Sequence, residues 1–320
     1  MKILRCIHSL DPAIGGPFES VKQSSRLLVR RGHEVEVASL DSPAAPWLQD
    51  FPATVHALGP GHGSYGYAPR FVPWLKARHS NYDAVVVQGI WQYHSFGVWR
   101  ALHKTATPYF VFPHGMLDPW FNRTYPLKHF KKLLYWPWAD YRVLRDARAE
   151  LFTSEEERRL ARESFALYRC REVVVNYGTA GPEVDLQGAR EKFLKAFPAL
   201  REKNLFLFLG RLHEKKGVEE LIRAFASKPD DEHLVIAGPS ADEGYRQHLK
   251  QTWYQHHLYG HVERQPEMGR LRRGGSVYSS IAPGELRDRG GRSTRLWNPR
   301  ADLKQGEHLA RDRARWLRIR

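Results

Sequence analysis

Up to about residue 262 the apolar positions come in short runs separated by stretches of helical period, and beyond it neither the strand period nor the helix period survives. "MKILRCIHSL" reads as a first strand, broken by Asp11, Pro12, Gly15, Gly16 and Pro17. Val21, Ser24, Ser25 and Leu28 then share one helical face, Gly32 closes that helix, and Val35 and Val37 alternate in a second strand. "YDAVVVQG", "TPYFVFPHGM", "ARAELFTSEEERRL" and "REVVVNYGT" each repeat an apolar run that ends in a polar or glycine turn. Near residue 175 the pattern restarts: "ALREKNLFLFLGRL" supplies a strand, "VEELIRAFA" a helix and "EHLVIAGPS" another strand and turn. Strands alternating with helices predict an α/β protein with doubly wound parallel sheets, whose ligands gather at the carboxyl ends of the strands. The expected organisation is a first domain over 1–170, a partial second domain over 171–262, and an irregular tail over 263–320.

A chain of 320 residues is long enough for two such domains, and its 42% hydrophobic content suits a globular protein. No apolar run is long enough to span a bilayer, and the amino terminus reads as a strand and not as a signal peptide. Cys6 and Cys170 lie far apart, so no disulfide framework is expected and the cytoplasm is the expected compartment.

The net charge of +15 would ordinarily suggest nucleic acid or an anionic membrane as partner. Its distribution changes that picture, because residues 263–320 hold 15 Lys and Arg against 7 Asp and Glu, more than half of the excess. The alternative function is therefore a basic nucleic-acid-binding protein using its Arg/Gly-rich tail. Salt-dependent affinity that disappears with residues 263–320 would mark it, and it ranks below the enzyme reading developed next. Residues 127–147, "LKHFKKLLYWPWADYRVLRDA", are basic with interleaved aromatics. They suit peripheral contact with anionic lipid, or, as the preferred reading, an amphipathic helix pair split at Pro137 and packed on its own domain.

Two stretches carry candidate chemistry. Gly15-Gly16 lies on the first strand-to-helix turn, where backbone N–H groups can approach an anion, although the pair taken alone reads first as an ordinary tight turn. In "GRLHEKKG", residues 210–217, Arg211 and Lys216 follow an apolar strand and precede a helix, a placement that lets two cations neutralise a diphosphate and that by itself equally suits an ordinary solvated basic loop. No D-x-D occurs, and no His or Cys spacing suits zinc, so neither metal nor other cofactor is expected.

The "GGP" turn, "RRGHEVEV", "FPHGM", "LFTSEEE" and above all "FLGRLHEKKGVEELIRAFA" resemble the retaining family 4 glycosyltransferases of the GT-B fold, over residues 1 to about 260. The resemblance implies two Rossmann-like domains, an acceptor side followed by a nucleotide-sugar side. It implies that Arg211 and Lys216 bind the donor diphosphate, that Gly15 and Gly16 meet the donor phosphates, and that His114 lines the sugar site. Glu155 stands at a family-like turn and is read as structural. The implied partners are a nucleotide-sugar donor and a glycan or lipid-linked acceptor, met in the cytoplasm or at the inner face of the membrane.

Members of this group also carry a donor segment resembling "HQENFGIVVVEALACGTPVLIS", which is missing as written. Joining the last two bases of each codon to the first base of the next lets Ala282 to Leu303 encode "HQENFGIVVVEALACGTPVLI" without a break. In the same frame Glu267-Met268-Gly269-Arg270 permits Lys-Trp-Gly-Ala, the family's "KWGA", with Trp forced by Met268 followed by Gly269. The tail therefore reads as the family's donor domain translated out of frame, the switch falling between about residues 258 and 266. The expected consequence is a transferase impaired or inactive as written.

Overall fold

The computed structural model describes residues 1–175, 185–226, 232–240 and 242–255, with the backbone of 261–262, 275–279 and 317–319. The chain divides into two compact units, Met1–Gly181 and Pro182–Arg320.

In the first unit the short apolar runs become β1 (Lys2–Ile7), β2 (Glu34–Ser39), β3 (Thr54–Ala57), β4 (Ala84–Gln88), β5 (Tyr109–Phe112), β6 (Ala149–Phe152) and β7 (Glu172–Val174). They form one parallel sheet in the order β3-β2-β1-β4-β5-β6-β7. The connecting stretches form α1 (Gly16–Arg30), α2 (Phe71–Arg78), α3 (Tyr93–Leu102), α4 (Trp120–Thr124), α5 (Pro126–Tyr135), α6 (Asp140–Arg145) and α7 (Glu155–Ala161). Near-continuous apolar strands such as "AVVVQ" are what a sheet covered on both faces requires. Leu4, Cys6, Val85, Val87 and Val111 pack with Phe71, Leu75, Val98 and Leu144 in one core layer, while Ile7 and Val37 pack with Phe18 and Val21 in another. The predicted buried face of α1 is found, with Val21 and Ser25 buried.

β7 pairs with β6, so residues 172–174 complete the first sheet and the unit closes after Gly181 instead of at residue 170. The apolar run at 172–174, where the sequence pattern restarts, thus belongs to the first sheet and not to the second domain. The break at Pro137 is present as a short 3-10 turn, Trp136–Trp138, between α5 and α6. Packing on the domain holds for Trp136, Asp140, Val143 and Leu144, but α5 buries none of its residues.

The second unit contains α8 (Leu186–Ala196), β8 (Asn204–Leu209), α9 (Val218–Phe225), β9 (Glu232–Pro239) and α10 (Glu243–Gln255). β8 and β9 are parallel and joined through α9, one βαβ unit of the expected kind. Phe208, Val218, Ile222, Ile236 and Trp253 form a core on one side, and Leu194, Phe197, Leu205 and Val235 a core on the other. The remaining strands are β10 (His261–Val262), β11 (Gly275–Ser279) and β12 (Leu317–Ile319), giving the order β10-β11-β9-β8-β12. β11 lies antiparallel on β9, and β12 antiparallel on β8. A half-built parallel sheet is expected to leave apolar edges open; here both edges are paired. The rest of 263–320, and with it the expectation that the tail lacks a packed core, lies outside the described residues.

The approach of α3 to α2 depends on a glycine. A Cβ on Gly97 would sit 2.7 Å from Cδ1 and 3.0 Å from Cε1 of Phe71, which is fully buried. Val is only slightly better than Gly as a helix former, so packing decides the outcome. Gly97→Val is expected to cost about 1–3 kcal/mol of stability, read as a lowered urea midpoint. An unchanged midpoint would mean that the two helices do not pack this closely.

Candidate functional site

The strand order of the first sheet reverses between β1 and β4, and this switch point is where doubly wound sheets bind ligands. The chain after β1 is built tightly. Asp41, just past β2, accepts hydrogen bonds from Ser9 Oγ (2.5 Å), the Leu10 N–H (2.8 Å) and Trp47 Nε1 (3.2 Å). Asp11 caps the 3-10 turn Pro12–Ile14 by accepting from the Ala13 N–H at 2.8 Å. Gly15 follows at φ 85°, ψ −124°, a conformation that side chains resist, and forms the N-cap of α1. Nothing lies within 4 Å of where a Cβ on Gly15 or Gly16 would stand. Gly15 and Gly16 therefore border open space at the N-terminus of α1, where the helix dipole favours negative charge.

His114 follows β5 with φ 52°. Its Nε2 donates to Gln88 Oε1 at 2.9 Å, and its ring stacks on Phe112 with centroids 5.7 Å apart. Gln88 is the last residue of β4 and buried; its carbonyl oxygen also accepts from His94 Nε2 at 2.9 Å. Because both acceptors are carbonyl oxygens, each imidazole carries its proton on Nε2 and its lone pair on Nδ1. Burial pushes the His114 imidazole down to about 4, Glu157 opposing the shift and Arg5 adding to it. His94, fully buried, is pushed down to about 3. Near neutral pH His114 is thus an uncharged ring that can accept a hydrogen bond at Nδ1; it is not a proton donor of useful acidity.

Three residues that sequence reasoning missed hold this site. Gln88 sets the His114 tautomer; a lone polar residue closing the apolar run "AVVVQ" was a legible signal. Glu157, not Glu155, ties the β6 turn to the His114 loop. It is buried and accepts from the Gly115 N–H (2.5 Å), the Thr153 N–H (2.9 Å) and Thr153 Oγ1 (2.6 Å), while Glu155 pairs with Arg158 on the surface. Asp140 is fully buried and accepts from the Trp91 N–H at 3.0 Å, fixing Trp91 at φ 70° beside the switch point.

In the second unit the loop after β8 carries the two predicted cations. It is tied to β9 by the Gly210 N–H on Ala237 O (3.0 Å) and the Leu212 N–H on Pro239 O (2.8 Å). Arg211 is exposed between these two anchors. Lys216 ends the 3-10 turn Glu214–Lys216, and Gly217, at φ 64°, is the N-cap of α9. Both cations thus occupy the strand-to-helix loop at the carboxyl end of β8, as expected. The structure brings Gly15, Gly16 and His114 to the switch point of the first unit, and Arg211 and Lys216 to the matching position of the second.

Comparison with known proteins agrees with this division. Residues 15–178 match the description "Glycosyl transferase 4-like domain", and residues 189–270 match "Glycosyl transferases group 1". No curated protein matches the sequence. Among solved structures, sucrose-phosphate synthase from Thermosynechococcus elongatus is 19% identical with a TM-score of 0.59, over 80% of this chain and 68% of that one. Anabaena HepE, solved with UDP and glucose, is 16% identical with a TM-score of 0.52, over 80% and 66%. A glycosyltransferase from Rickettsia africae is 14% identical with a TM-score of 0.55, over 80% and 65%. The chain thus spans about two thirds of the length of these structures, and at such identities the likeness concerns the fold. With a Rossmann-like seven-stranded sheet, and with the 4-like match alone covering more than half of its length, the chain belongs to the family 4-like glycosyltransferases of the GT-B fold.

Proposed function

We propose that this protein derives from a retaining, metal-independent glycosyltransferase that moves a sugar from a nucleotide-sugar to a polysaccharide or glycolipid acceptor in the cytoplasm, and that the chain as written is impaired. The observation that carries the reading is the pair Arg211 and Lys216, set on a strand-to-helix loop tied down by two backbone hydrogen bonds. A nucleoside diphosphate leaving group gathers negative charge as the glycosidic bond breaks, and fixed cations and backbone N–H donors stabilise it most at that moment. The open N-terminus of α1 at Gly15 and Gly16 would serve the same charge. His114, neutral with its lone pair on Nδ1, suits a hydroxyl of the transferred sugar. Attack on the face the nucleotide leaves would retain configuration without a carboxylate nucleophile. UDP and UDP-glucose in complexes of the Anabaena relative support this donor class.

Calorimetric titration of the frame-repaired chain with nucleoside diphosphates, beginning with UDP, tests the assignment. Arg211→Ala and Lys216→Ala are each expected to weaken binding by about 1–3 kcal/mol, roughly 5- to 150-fold, as for other charged hydrogen bonds. Equal affinity in all three proteins would remove both residues from the donor site.

A further inference from the structure

Two bulky residues hold left-handed backbone at the carboxyl ends of neighbouring strands, Trp91 at φ 70° after β4 and His114 at φ 52° after β5. Side chains resist that conformation, so it persists only where the surroundings hold it, and such residues gather at functional sites. The two loops hold each other. Trp91 Nε1 donates to Met116 O at 3.2 Å, and the Ile90 N–H donates to Met116 Sδ at 3.4 Å. With Gln88 on the His114 ring and Glu157 on the Gly115 N–H, three consecutive residues of the His114 loop are each held by a different group.

Trp91 in turn is held by Asp140, the first residue of α6. The carboxyl is fully buried; Oδ2 accepts from the Trp91 N–H at 3.0 Å and Oδ1 from Ser95 Oγ at 3.4 Å. The indole packs against Phe165 and Trp136, with ring centres 5.1 and 5.9 Å away, and Lys132 Nζ stands 4.4 Å from its centre. A ring packed in this way serves as a strut, with Nε1 as its point of contact on Met116. We infer that Asp140 is a positioning residue: in its ionised form it pins Trp91, Trp91 braces Met116, and His114 is thereby kept where it would meet the transferred sugar. The inference rests on the proposed place of His114 at the sugar and adds what controls it. Burial pushes the Asp140 carboxyl up to about 7, with the Trp91 N–H, Ser95 and Lys132 opposing the shift. Burial lowers the Lys132 ammonium, and Asp140 holds it up. Below about pH 7 the folded protein therefore protonates Asp140, the neutral acid accepts more weakly from the Trp91 N–H, and the half-buried Lys132 loses its anion. Tyr135 of α5 and Tyr65 of the loop before α2 also feel Asp140. Both are pushed above the ordinary tyrosine value, first by burial, so neither changes charge near neutral pH.

The test is NMR of the full chain as written, isotope-labelled at the histidine and tryptophan side-chain nitrogens and followed from about pH 5.5 to about 8.5. His114→Asn, which tolerates left-handed backbone, and Trp91→Phe assign the two signals. The His114 ring, pushed down to about 4, does not titrate in that window, so a step in its nitrogens comes from a neighbour. The expected result is one step near the Asp140 value of about 7, shared by the His114 nitrogens and the Trp91 indole N–H. Asp140→Asn keeps an oxygen for the Trp91 N–H but carries no charge, and should remove the step from both. Trp91→Phe lacks the donor to Met116 and should remove the step from His114; it decides the matter if Asp140→Asn fails to fold. Flat His114 nitrogens, or a step there that survives in either variant, would overturn the inference. In the frame-repaired chain near pH 8 both variants should lower kcat by roughly 10- to 100-fold, with little change in donor KM. Unchanged kcat in both, beside an inactive His114→Ala, would also overturn it. A His114→Ala as active as its parent would instead remove His114 from the reaction while the shared step stays in place, so the two failures are told apart.

Discussion

Restoring the reading frame by one base between codons 258 and 266 should raise sugar transfer from background by at least about 100-fold, the loss typical of removing one well-placed charge-stabilising donor. On the out-of-frame reading, more than one donor is missing from the chain as written. In the alternative frame Ala282 to Leu303 permit a donor segment with two Glu residues, at the codons that read Gly284 and Arg292 as written. The segment "GIVVVEAL", which the family resemblance would place at the diphosphate, is likewise absent from the sequence as written. The match to the group 1 description ends at residue 270, close to the inferred switch. Among the described residues the second sheet has one parallel pair, β8 and β9, flanked by antiparallel strands that a Rossmann-like domain would not use there. Resequencing the coding DNA across codons 255–270, then assaying repaired and unrepaired proteins with a lipid extract as acceptor, decides the matter. Comparable activity in the two proteins would mean that the tail, as it stands, supplies what the donor segment was thought to supply.

How much of this was legible without coordinates depended on whether the signal was local. Strands such as "AVVVQ" and "NLFLFL" announce themselves, because burial on both faces leaves no room for polar residues. The loops at Gly15-Gly16 and at Arg211 to Gly217 were placed correctly at strand ends for the same reason: glycine and charge interrupt an apolar run where the chain turns. What stayed hidden required contacts between distant residues. Gln88 and His114 are 26 positions apart, and Gly115 and Glu157 are 42 apart. Among the three consecutive acids of "SEEE" only the fold shows that the third is the one turned inward. The orientation of α5 was equally hidden, since its period says that the helix is two-sided but not which side faces the domain. Three polar contacts, through Tyr135, Lys132 and His129, settle that in the direction opposite to the usual one.

Between pH 6.5 and 8 the folded chain should lose stability as the pH rises, by about 1–2 kcal/mol, and Glu150→Gln should remove most of that dependence. Glu150 lies in β6, fully buried, and accepts from Tyr168 Oη at 2.8 Å and Cys170 Sγ at 2.9 Å through one carboxylate oxygen. Burial pushes its carboxyl up to about 8, and the nearby Glu172 and Glu157 raise it further against those two hydrogen bonds. The unfolded chain releases this proton near the ordinary glutamate value of about 4.3. Between these limits the folded state holds a proton that the unfolded state has lost, so unfolding becomes easier with rising pH, by about 1.4 kcal/mol per unit for one proton. Asp140, pushed up to about 7 by burial, acts in the same direction and is exhausted near that pH. His94 and His114, pushed down to about 3 and 4, act oppositely, but only below the ordinary histidine value of about 6.5, where the unfolded chain begins to take up protons. Above pH 7 Glu150 is therefore the main titrating carboxyl, and urea midpoints at half-unit steps isolate it. The comparison is of slopes, not levels. The other carboxylate oxygen, Oε1, has no hydrogen-bond partner among the described residues, and an amide NH2 in its place would cost about 1–3 kcal/mol at every pH. Parallel pH curves for the two proteins would show that Glu150 is already ionised in the fold, and that Tyr168 and Cys170 hold a carboxylate there instead of a carboxylic acid.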